Sequence, residues 1–460
     1  MKNYFEYANK DYKNTLFLKL IIVSLPFNAL PYFSNIFGEL AQEGAFYVLV
    51  IGIIVSIIKM DKIYLPKNNS YNALIVFLAL IILSFIFNYN SIFSNFTKGR
   101  SGIEKFVFQY MVLLFGFISS IYIYSIVRKT NNTLEILRKY VMISAYIVGA
   151  YCVIEILSLH NVNFAKVIVD NVSLIIRGEE DAGSNYLRLR AVCGEASFFG
   201  IYSSFVIPWM FLSINKNKKI KKFNLIFFIY YIYLIILSKS RLAYVTILVE
   251  ITFIIAFTSN NFKKKLKVAI IVLMCLCCVI LGKYYISSDV PIDITGVYTS
   301  LTDSDNMSNI ARYGSQRAAF KMGIGHPIFG VGLGQYGFNM PNYVDDDAMQ
   351  STEILTWMDS SEQTPWAPVH GLFARIFGEL GFVELFLWLY CWLYLLYKLF
   401  QKYKLNKKLK KQTTTLIALI SSIIGLLLVG FDLDTFRYFG YWILLGISWN
   451  EIRETRKFNI

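Results

Sequence analysis

Residues 223–258 read FNLIFFIYYIYLIILSKSRLAYVTILVEITFIIAFT, and this stretch decides the fold class. Two apolar runs, each close to the length that spans a hydrocarbon core, are separated only by Ser238-Lys-Ser-Arg241. In water such runs would be left exposed, whereas two helices in a bilayer satisfy their own backbone and bury their side chains in lipid. The stretch predicts a transmembrane helical hairpin whose short turn holds an arginine at the membrane surface.

The same pattern recurs along the chain. Of 460 residues, 56% are hydrophobic and only 16% are charged, whereas a soluble domain carries about 25% charged residues. A soluble enzyme, a disulfide scaffold and a disordered protein are therefore excluded, and we expect an all-α polytopic membrane protein with about twelve transmembrane helices. The predicted spans are 15–31, 42–59, 72–89, 106–127, 140–160, 196–213, 223–238, 242–258, 268–285, 371–400, 413–430 and 436–449.

The formal charge of +15 is concentrated in short clusters between apolar runs, such as 216–222, 263–267 and 402–411. This distribution is typical of cytoplasmic loops rather than of a nucleic-acid surface, so both termini are expected in the cytoplasm and no nucleic-acid partner is expected. Three regions follow: residues 1–285 with spans one to nine, an outer loop with short helices at 286–370, and residues 371–460 with the last three spans and a cytoplasmic tail.

Polar motifs gather at the outer ends of the predicted spans. Arginine forks match phosphate oxygens in pairs and keep their charge at any working pH, and histidine can accept a hydroxyl proton near neutrality. Together these residue types indicate a lipid-linked phosphate or diphosphate as leaving group and a hydroxyl as nucleophile. For any single arginine, the alternative is a lipid-headgroup anchor.

Two other motifs have simpler interpretations. Gly330-Val-Gly332-Leu-Gly334 lacks the full dinucleotide fingerprint, so a tight turn is favoured over a nucleotide loop. The run Asp345–Asp347 is predicted to be a solvated loop rather than a divalent-cation site. Residues 309–321 are predicted to form a helix with Arg312, Gln316 and Ala319 on one face.

Five motifs in order resemble the O-antigen polymerase and O-antigen ligase superfamily of bacterial membranes. They are Arg190 with Gly194-Glu195-Ala-Ser-Phe-Phe-Gly200; Ser238-Lys-Ser-Arg241; Arg312 with Gln316 and Ala319; His326-Pro-Ile-Phe-Gly-Val-Gly-Leu-Gly-Gln-Tyr336; and His370 with Arg375 and Gly378-Glu-Leu-Gly381. The order of the motifs, the topology and the position of the large loop between two late spans all resemble the family from about residue 185 to the C-terminus. The first five spans match only in hydropathy.

The resemblance implies a GT-C-like fold in the inner membrane, with an active site facing the periplasm. It implies transfer of a glycan from undecaprenyl diphosphate without cofactor or metal. The implied partners are undecaprenyl-diphosphate-linked glycans, membrane lipids and a chain-length regulator protein. The stretch at Glu195 resembles a Gly-Glu-Pro-Ser stretch of the polymerases, with Ala196 in place of proline, so a polymerase of O-antigen or capsule units is favoured over a ligase.

On this reading, the expected roles divide between the motifs. Glu195 or His370 would accept the acceptor's proton, and burial of Glu195 in an aromatic stretch would raise its pKa. The expected ligands of the diphosphate are Arg190, Arg241, Arg312 and Arg317, with Arg188, His326, Arg375 and Arg437 as secondary candidates. The rival class is a flippase or other transporter, for which Glu250 within a span would be the functional residue.

Overall fold

A computed structural model describes residues 15–179, 188–214, 221–258 and 307–455 of the chain. Within those residues seven helices are long and apolar enough to cross a membrane, or eight if one bent pair counts as a single span. Strand pairing in the described residues is confined to a two-residue antiparallel ladder between β1 (Phe96–Thr97) and β2 (Arg100–Ser101). The all-α polytopic membrane architecture is confirmed.

Every predicted span overlaps at least one helix except 268–285, which lies outside the described residues together with 286–306 of the predicted outer loop. The helices are α1 (Thr15–Ser24), α2 (Ser34–Phe37), α3 (Gly44–Ile58), α4 (Asn69–Phe87), α5 (Tyr89–Ser94), α6 (Gly102–Val127), α7 (Thr133–Leu159), α8 (Asn163–Ile176), α9 (Ala196–Ser213), α10 (Lys221–Ser238), α11 (Arg241–Thr258), α12 (Met307–Gly325), α13 (Tyr336–Asn339), α14 (Thr352–Met358), α15 (Leu372–Leu380), α16 (Phe382–Lys408), α17 (Thr414–Val429) and α18 (Phe439–Thr455). Short 3-10 turns cover Gly38–Gln42, Met340–Asn342 and Ala348–Gln350.

Helix starts follow from local capping. The Asn68 side chain accepts a hydrogen bond from the Tyr71 amide at 3.0 Å and begins α4. Ser101 accepts one from the Glu104 amide at 3.2 Å and begins α6. Each cap satisfies an amide that has no partner within its own helix, so both starts are fixed by the sequence.

The prediction of one continuous span over 371–400 is wrong. Gly381 separates α15 from α16 with φ 93°, a left-handed backbone that favours glycine. A Cβ at this position would lie 2.5 Å from the Ile328 carbonyl oxygen, and the next amide, of Phe382, donates to the Pro327 carbonyl at 2.9 Å. The break therefore lets the chain after α12 pack against the start of α16.

The second predicted span, 42–59, coincides with α3. The segment Ser34–Gln42 before it meets α3 at an angle of 107°. Glu43, at the bend, is fully buried. The chain therefore enters α3 through a turn at a buried carboxylate.

The core is aromatic and centres on α18. Trp442 and Trp449 of α18 are almost completely buried. The Trp388 ring of α16 packs edge-on against Trp442, with 6.2 Å between ring centroids. Aromatic contacts of this kind add to the burial of apolar surface, so α18 is enclosed by protein along most of its length.

The described part of the predicted outer loop holds more than short helices, because α12 has 19 residues. It packs along α15, where a Cβ on Gly378 would lie 2.6 Å from the Ala319 carbonyl oxygen. Only glycine permits this approach. The contact fixes α12 against the helix that follows His370.

Candidate active site

The predicted polar motifs lie at one end of the helices, and the lysine-rich loops lie at the other. Glu195 immediately precedes α9, Arg241 begins α11, and His370 and Asp432 lie next to the start of α15 and the end of α17. The basic loops 59–67, 128–139 and 402–411 join the opposite helix ends. The structure therefore separates the two kinds of polar surface by the length of the bundle.

Three arginines from distant segments converge at the first end; Arg188, Arg241 and Arg312 are called the arginine cluster below. Arg188 donates from Nε to the Ser238 carbonyl at 3.1 Å, at the turn before Arg241. Arg241 and Arg312 lie close enough for their charges to interact, as do Arg188 and Arg312. Like charges held together at a partly buried surface favour binding of an anion.

Each arginine of the cluster is held in place by a neighbouring group. Arg241 donates from Nη1 to the Asn309 side-chain oxygen on α12 at 2.7 Å. Arg312 pairs with Asp432 at 2.8 Å, and about a third of its side chain, 34%, remains exposed. Burial, followed by the charge of Arg312, lowers the pKa of Arg188, yet an arginine remains protonated at neutral pH. The cluster is thus permanently cationic and open to a ligand.

His370 connects α12 to the segment after α17 through its backbone. Its carbonyl accepts a hydrogen bond from the Gln316 side chain, and its amide donates to Asp434 at 3.3 Å. Gln316 also donates to the Phe431 carbonyl at 3.1 Å. Arg312, Gln316 and the packed Ala319 therefore share one face, as the spacing predicted.

The His370 ring lies 5.4 Å from the Trp357 ring and is largely enclosed. Its Nε2 atom is buried and accepts or donates no hydrogen bond among the described residues. Burial lowers the pKa of His370, and the charge of Arg312 lowers it further. The charges of Asp434 and Asp432 act in the opposite direction but do not cancel the effect of burial. The ring is therefore neutral at pH 7.

Glu195 is exposed, so the expectation that an apolar environment desolvates it is wrong. It occupies the N-cap position of α9 without forming a side-chain cap. Its Oε2 accepts a hydrogen bond from the Ser197 hydroxyl at 3.0 Å. Its charge acts on both Arg188 and His370, so a reachable carboxylate adjoins the arginine cluster.

Arg190 lies with a different set of charges. Its backbone amide donates to Glu155 of α7 at 2.7 Å, and the nearby charges that act on its side chain include Arg177 and Glu155. Arg177 in turn donates to the Cys193 carbonyl at 2.9 Å. These hydrogen bonds hold the loop that carries Arg188 and Glu195 in its conformation, so the region around Arg190 supports the site structurally.

Arg375 is enclosed by protein partners. It donates from Nε to Glu379 at 3.0 Å, from Nη1 to the Asp434 carbonyl at 2.7 Å and from Nη2 to Gln109 at 2.9 Å. The side chain is almost buried. With these three partners the guanidinium joins α6, α15 and the segment before α18, so its role is structural.

Arg317, which was expected to bind the diphosphate, and the secondary candidates His326 and Arg437 also lie apart from the arginine cluster. Arg317, on the face of α12 away from Arg312, pairs with Asp347 at 2.7 Å and with Asp345 at 3.7 Å. The predicted solvated aspartate loop is therefore neutralised by basic side chains of α12. His326 is exposed beyond the end of that helix, and Arg437 lies 3.3 Å from the buried Glu43.

Sequence reasoning did not identify several residues that lie at the same helix ends as the arginine cluster. Asn309 and Asp432 hold the arginine cluster, while Asp434 holds the backbone of His370. Asp432 and Asp434 stand two residues apart just after the predicted span 413–430, which was a visible signal. Glu155 was detectable as a charge within an apolar span, whereas nothing in the sequence singles out Asn309.

A cavity of about 180 Å³ adjoins the site through Asp434. Lys105, Trp366 and Glu379 line it, and the Lys105 ammonium lies 4.0 Å from the centre of the Trp366 ring. Among the residues described, no group of three or more histidine, cysteine, aspartate or glutamate side chains is arranged to hold a metal ion. Positive charge at this end is supplied by arginine and lysine side chains.

Comparison with protein families gives one match, to a family described as O-antigen ligase, over residues 226–389. That segment includes Arg241, Arg312 and His370, whereas Arg188 and Glu195 precede it. No curated protein matches the chain. The family match confirms the resemblance that the sequence motifs indicated.

Proposed function

Residues 226–389 match a family described as O-antigen ligase, and on this premise we propose that the chain is a polysaccharide polymerase of the O-antigen polymerase and ligase superfamily. It transfers a growing glycan from undecaprenyl diphosphate to a hydroxyl of a second lipid-linked repeat unit. The observation that carries this proposal is the convergence of the arginine cluster with Glu195 and His370. A cationic site beside a proton acceptor is what glycosyl transfer from a lipid diphosphate requires.

The donor's diphosphate binds the arginine cluster. The acceptor oxygen attacks the anomeric carbon as the bond from that carbon to the diphosphate oxygen breaks. Arg188, Arg241 and Arg312 stabilise the negative charge that develops on the departing diphosphate. Attack opposite the leaving group inverts the anomeric configuration, and the arginines supply the charge stabilisation without a metal.

Glu195 accepts the proton of the attacking hydroxyl. Its exposed carboxylate can be reached by an incoming sugar, whereas the Nε2 atom of His370 is enclosed. His370 is a positioning residue, because its backbone ties Gln316 on the Arg312 helix to Asp434. Its neutral ring adds no repulsion to the cationic site.

Polymerase is favoured over ligase by the stretch Gly194-Glu195-Ala-Ser197. In this proposal its carboxylate is the group that an acceptor sugar meets. A ligase would instead rely on His370 for chemistry and take lipid A core as acceptor. The two activities therefore differ in which of these residues is indispensable.

An assay with purified protein and lipid-linked repeat units tests the proposal directly. A ladder of glycan lengths on undecaprenyl diphosphate is the expected result. One transfer to lipid A core, without a ladder, would assign the chain to the ligases. Absence of both products would favour transport, for which the buried Glu250 between α11 and α17 would be the residue to study.

The proposed location is the bacterial inner membrane, with the arginine cluster facing the periplasm and both termini in the cytoplasm. The basic loops at the opposite helix ends support this orientation. Single cysteines at Ser361 and Lys404, both exposed, give a matched test with a membrane-impermeant thiol reagent. Position 361 should react in intact cells and position 404 only after lysis, and the reverse pattern would overturn the orientation.

A further inference from the structure

A second cationic site lies at the end of the helices opposite the arginine cluster. It is a cavity of about 510 Å³ between the start of α4 and the ends of α6, α16 and α18. The cavity is lined by four cationic side chains and is called the basic cavity below; they are Lys67, Arg128, Lys398 and Arg453. None of these residues takes part in the proposed glycosyl transfer.

The charge of the basic cavity is of one sign. Four cationic side chains line it, and none of the described residues around it is acidic. None of the four forms an ion pair within the part of the chain that the structure describes. Lys398 donates instead to the neutral Gln401 at 3.1 Å. Such a concentration of like charge favours an anionic ligand.

The basic cavity is also preformed. The Arg128 guanidinium lies 4.0 Å from the centre of the Tyr64 ring. The Ser125 hydroxyl accepts a hydrogen bond from the Tyr64 amide at 2.9 Å and donates one to the Tyr64 carbonyl at 3.2 Å. Arg128 is therefore oriented before any ligand arrives, which lowers the entropic cost of binding.

One wall of the cavity is largely apolar. Trp449 is almost fully buried, and its Nε1 donates to the Ser70 hydroxyl at 3.1 Å. Tyr124 is also buried, and Leu405 and Ile452 complete an apolar wall. An anion with hydrocarbon next to its charge fits this combination better than a small hydrated anion does.

We propose that the basic cavity binds an anionic diacyl phospholipid, with the headgroup phosphate between Arg128 and Arg453 and the upper acyl carbons against the apolar wall. Basic pockets between transmembrane helices at the cytoplasmic surface suit such headgroups. Guanidinium groups bind phosphate oxygens in pairs, and the two lysines add unspecific attraction. The site retains a structural lipid and performs no chemistry.

The test compares two doubly neutralised proteins. In the cavity variant, Arg128→Gln is combined with Arg453→Gln. In the matched control, Lys404→Gln is combined with Lys408→Gln, which removes the same charge from exposed positions of α16 at the same end. Each protein is purified, stripped of lipid and titrated with phosphatidylglycerol, phosphatidylcholine or undecaprenyl phosphate, and binding is counted by native mass spectrometry.

Wild type and control should bind phosphatidylglycerol in preference to phosphatidylcholine. The cavity variant should bind it about 30-fold more weakly, the loss expected for two charges near a membrane surface. An equal loss in the control would show unspecific attraction. Equal binding of phosphatidylcholine, or preferred binding of undecaprenyl phosphate, would overturn the assignment to an anionic phospholipid.

A conservative variant guards against misfolding. Arg128→Lys combined with Arg453→Lys keeps both charges but loses the paired hydrogen bonds. It should bind phosphatidylglycerol more tightly than the glutamine variant and more weakly than wild type. Binding by the lysine variant as weak as that of the glutamine variant, with unchanged thermal unfolding, would contradict a charge-based site.

Discussion

The arginine cluster and the basic cavity are both cationic and occupy opposite ends of the same helices, yet they are built differently. Each arginine of the cluster is held by a carbonyl, an amide oxygen or a carboxylate, and Glu195 and His370 stand beside them. The described lining of the basic cavity has no acid and rests on buried Trp449 and Tyr124. In the proposed functions, the first region combines anion binding with a proton acceptor, and the second provides anion binding alone.

This difference shows that positive charge by itself does not identify an active site. Both regions would attract a phosphate, but only the arginine cluster has a carboxylate that an acceptor hydroxyl can reach. The chemistry therefore depends on the groups next to the arginines. Variants that change those groups, and matched variants that do not, test the distinction.

The largest effect is expected at the proton acceptor. Glu195→Gln removes the base but preserves size, so turnover should fall about 100- to 10,000-fold while the lipid-linked donor still binds. His370→Ala should chiefly raise KM, because loss of the ring's packing against Trp357 loosens the segment whose backbone holds Gln316 on the Arg312 helix. Kinetics of glycan formation measure both parameters, and a loss of kcat confined to His370→Ala would transfer the base role to the histidine.

Two arginines of α12 give the next comparison. Arg312→Gln should lower kcat/KM about 100- to 1,000-fold, because it removes a donor to the leaving diphosphate. Arg317→Gln should change it less than about twofold, since it pairs at the surface with Asp347, which is exposed, and Asp345, which is partly exposed. Both variants lose one charge from one helix. Similar losses from the two would mean that activity follows net charge rather than the arginine cluster.

A smaller effect is expected when charge is kept and geometry is lost. Arg241→Lys retains a cation but not the planar fork, so turnover should fall about tenfold, the value of one charge-assisted hydrogen bond. Arg128→Lys in the basic cavity should leave turnover unchanged. Full activity of both Arg241→Lys and Arg241→Ala would exclude Arg241 from the site.

The smallest effect concerns pH. Because burial lowers the pKa of His370 below the ordinary value of 6.5, the folded protein binds fewer protons at this ring than the unfolded chain does. Stability is therefore retained above about pH 6.5 and falls as the pH drops through the folded pKa. His370→Gln should reduce the loss of thermal stability between pH 7.5 and 5.5 by about a few degrees. An unchanged loss would show that the ring is not held neutral by burial.

Much of the fold could be predicted, because hydrophobic spans and basic loops are local features of the sequence. The turn at Ser238-Lys-Ser-Arg241 and the helix carrying Arg312 follow from such features. The break at Gly381 does not, because the apolar run continues across that position. It depends on the close contact with the Ile328 carbonyl.

The site could be predicted only in part, because partners decide what an arginine does. Arg188 and Arg190 are two residues apart and look alike in the sequence, yet one lies beside Arg312 and the other beside Glu155. Arg375 looked available, but Gln109 and the Asp434 carbonyl enclose it from distant segments. Exposure of Glu195 likewise depends on tertiary structure that local composition does not reveal.

The most direct measurement is binding of a non-transferable undecaprenyl-diphosphate sugar to protein in nanodiscs of fixed lipid composition. Two proteins are compared with wild type: one with Arg188, Arg241 and Arg312 each changed to Gln, and one with Arg128 and Arg453 changed to Gln. We predict that the first loses affinity by about 100-fold or more, from the loss of several charge-assisted contacts, while the second binds as wild type does. Retained binding in the first protein, or equal losses in both, would contradict the assignment of the diphosphate to the arginine cluster.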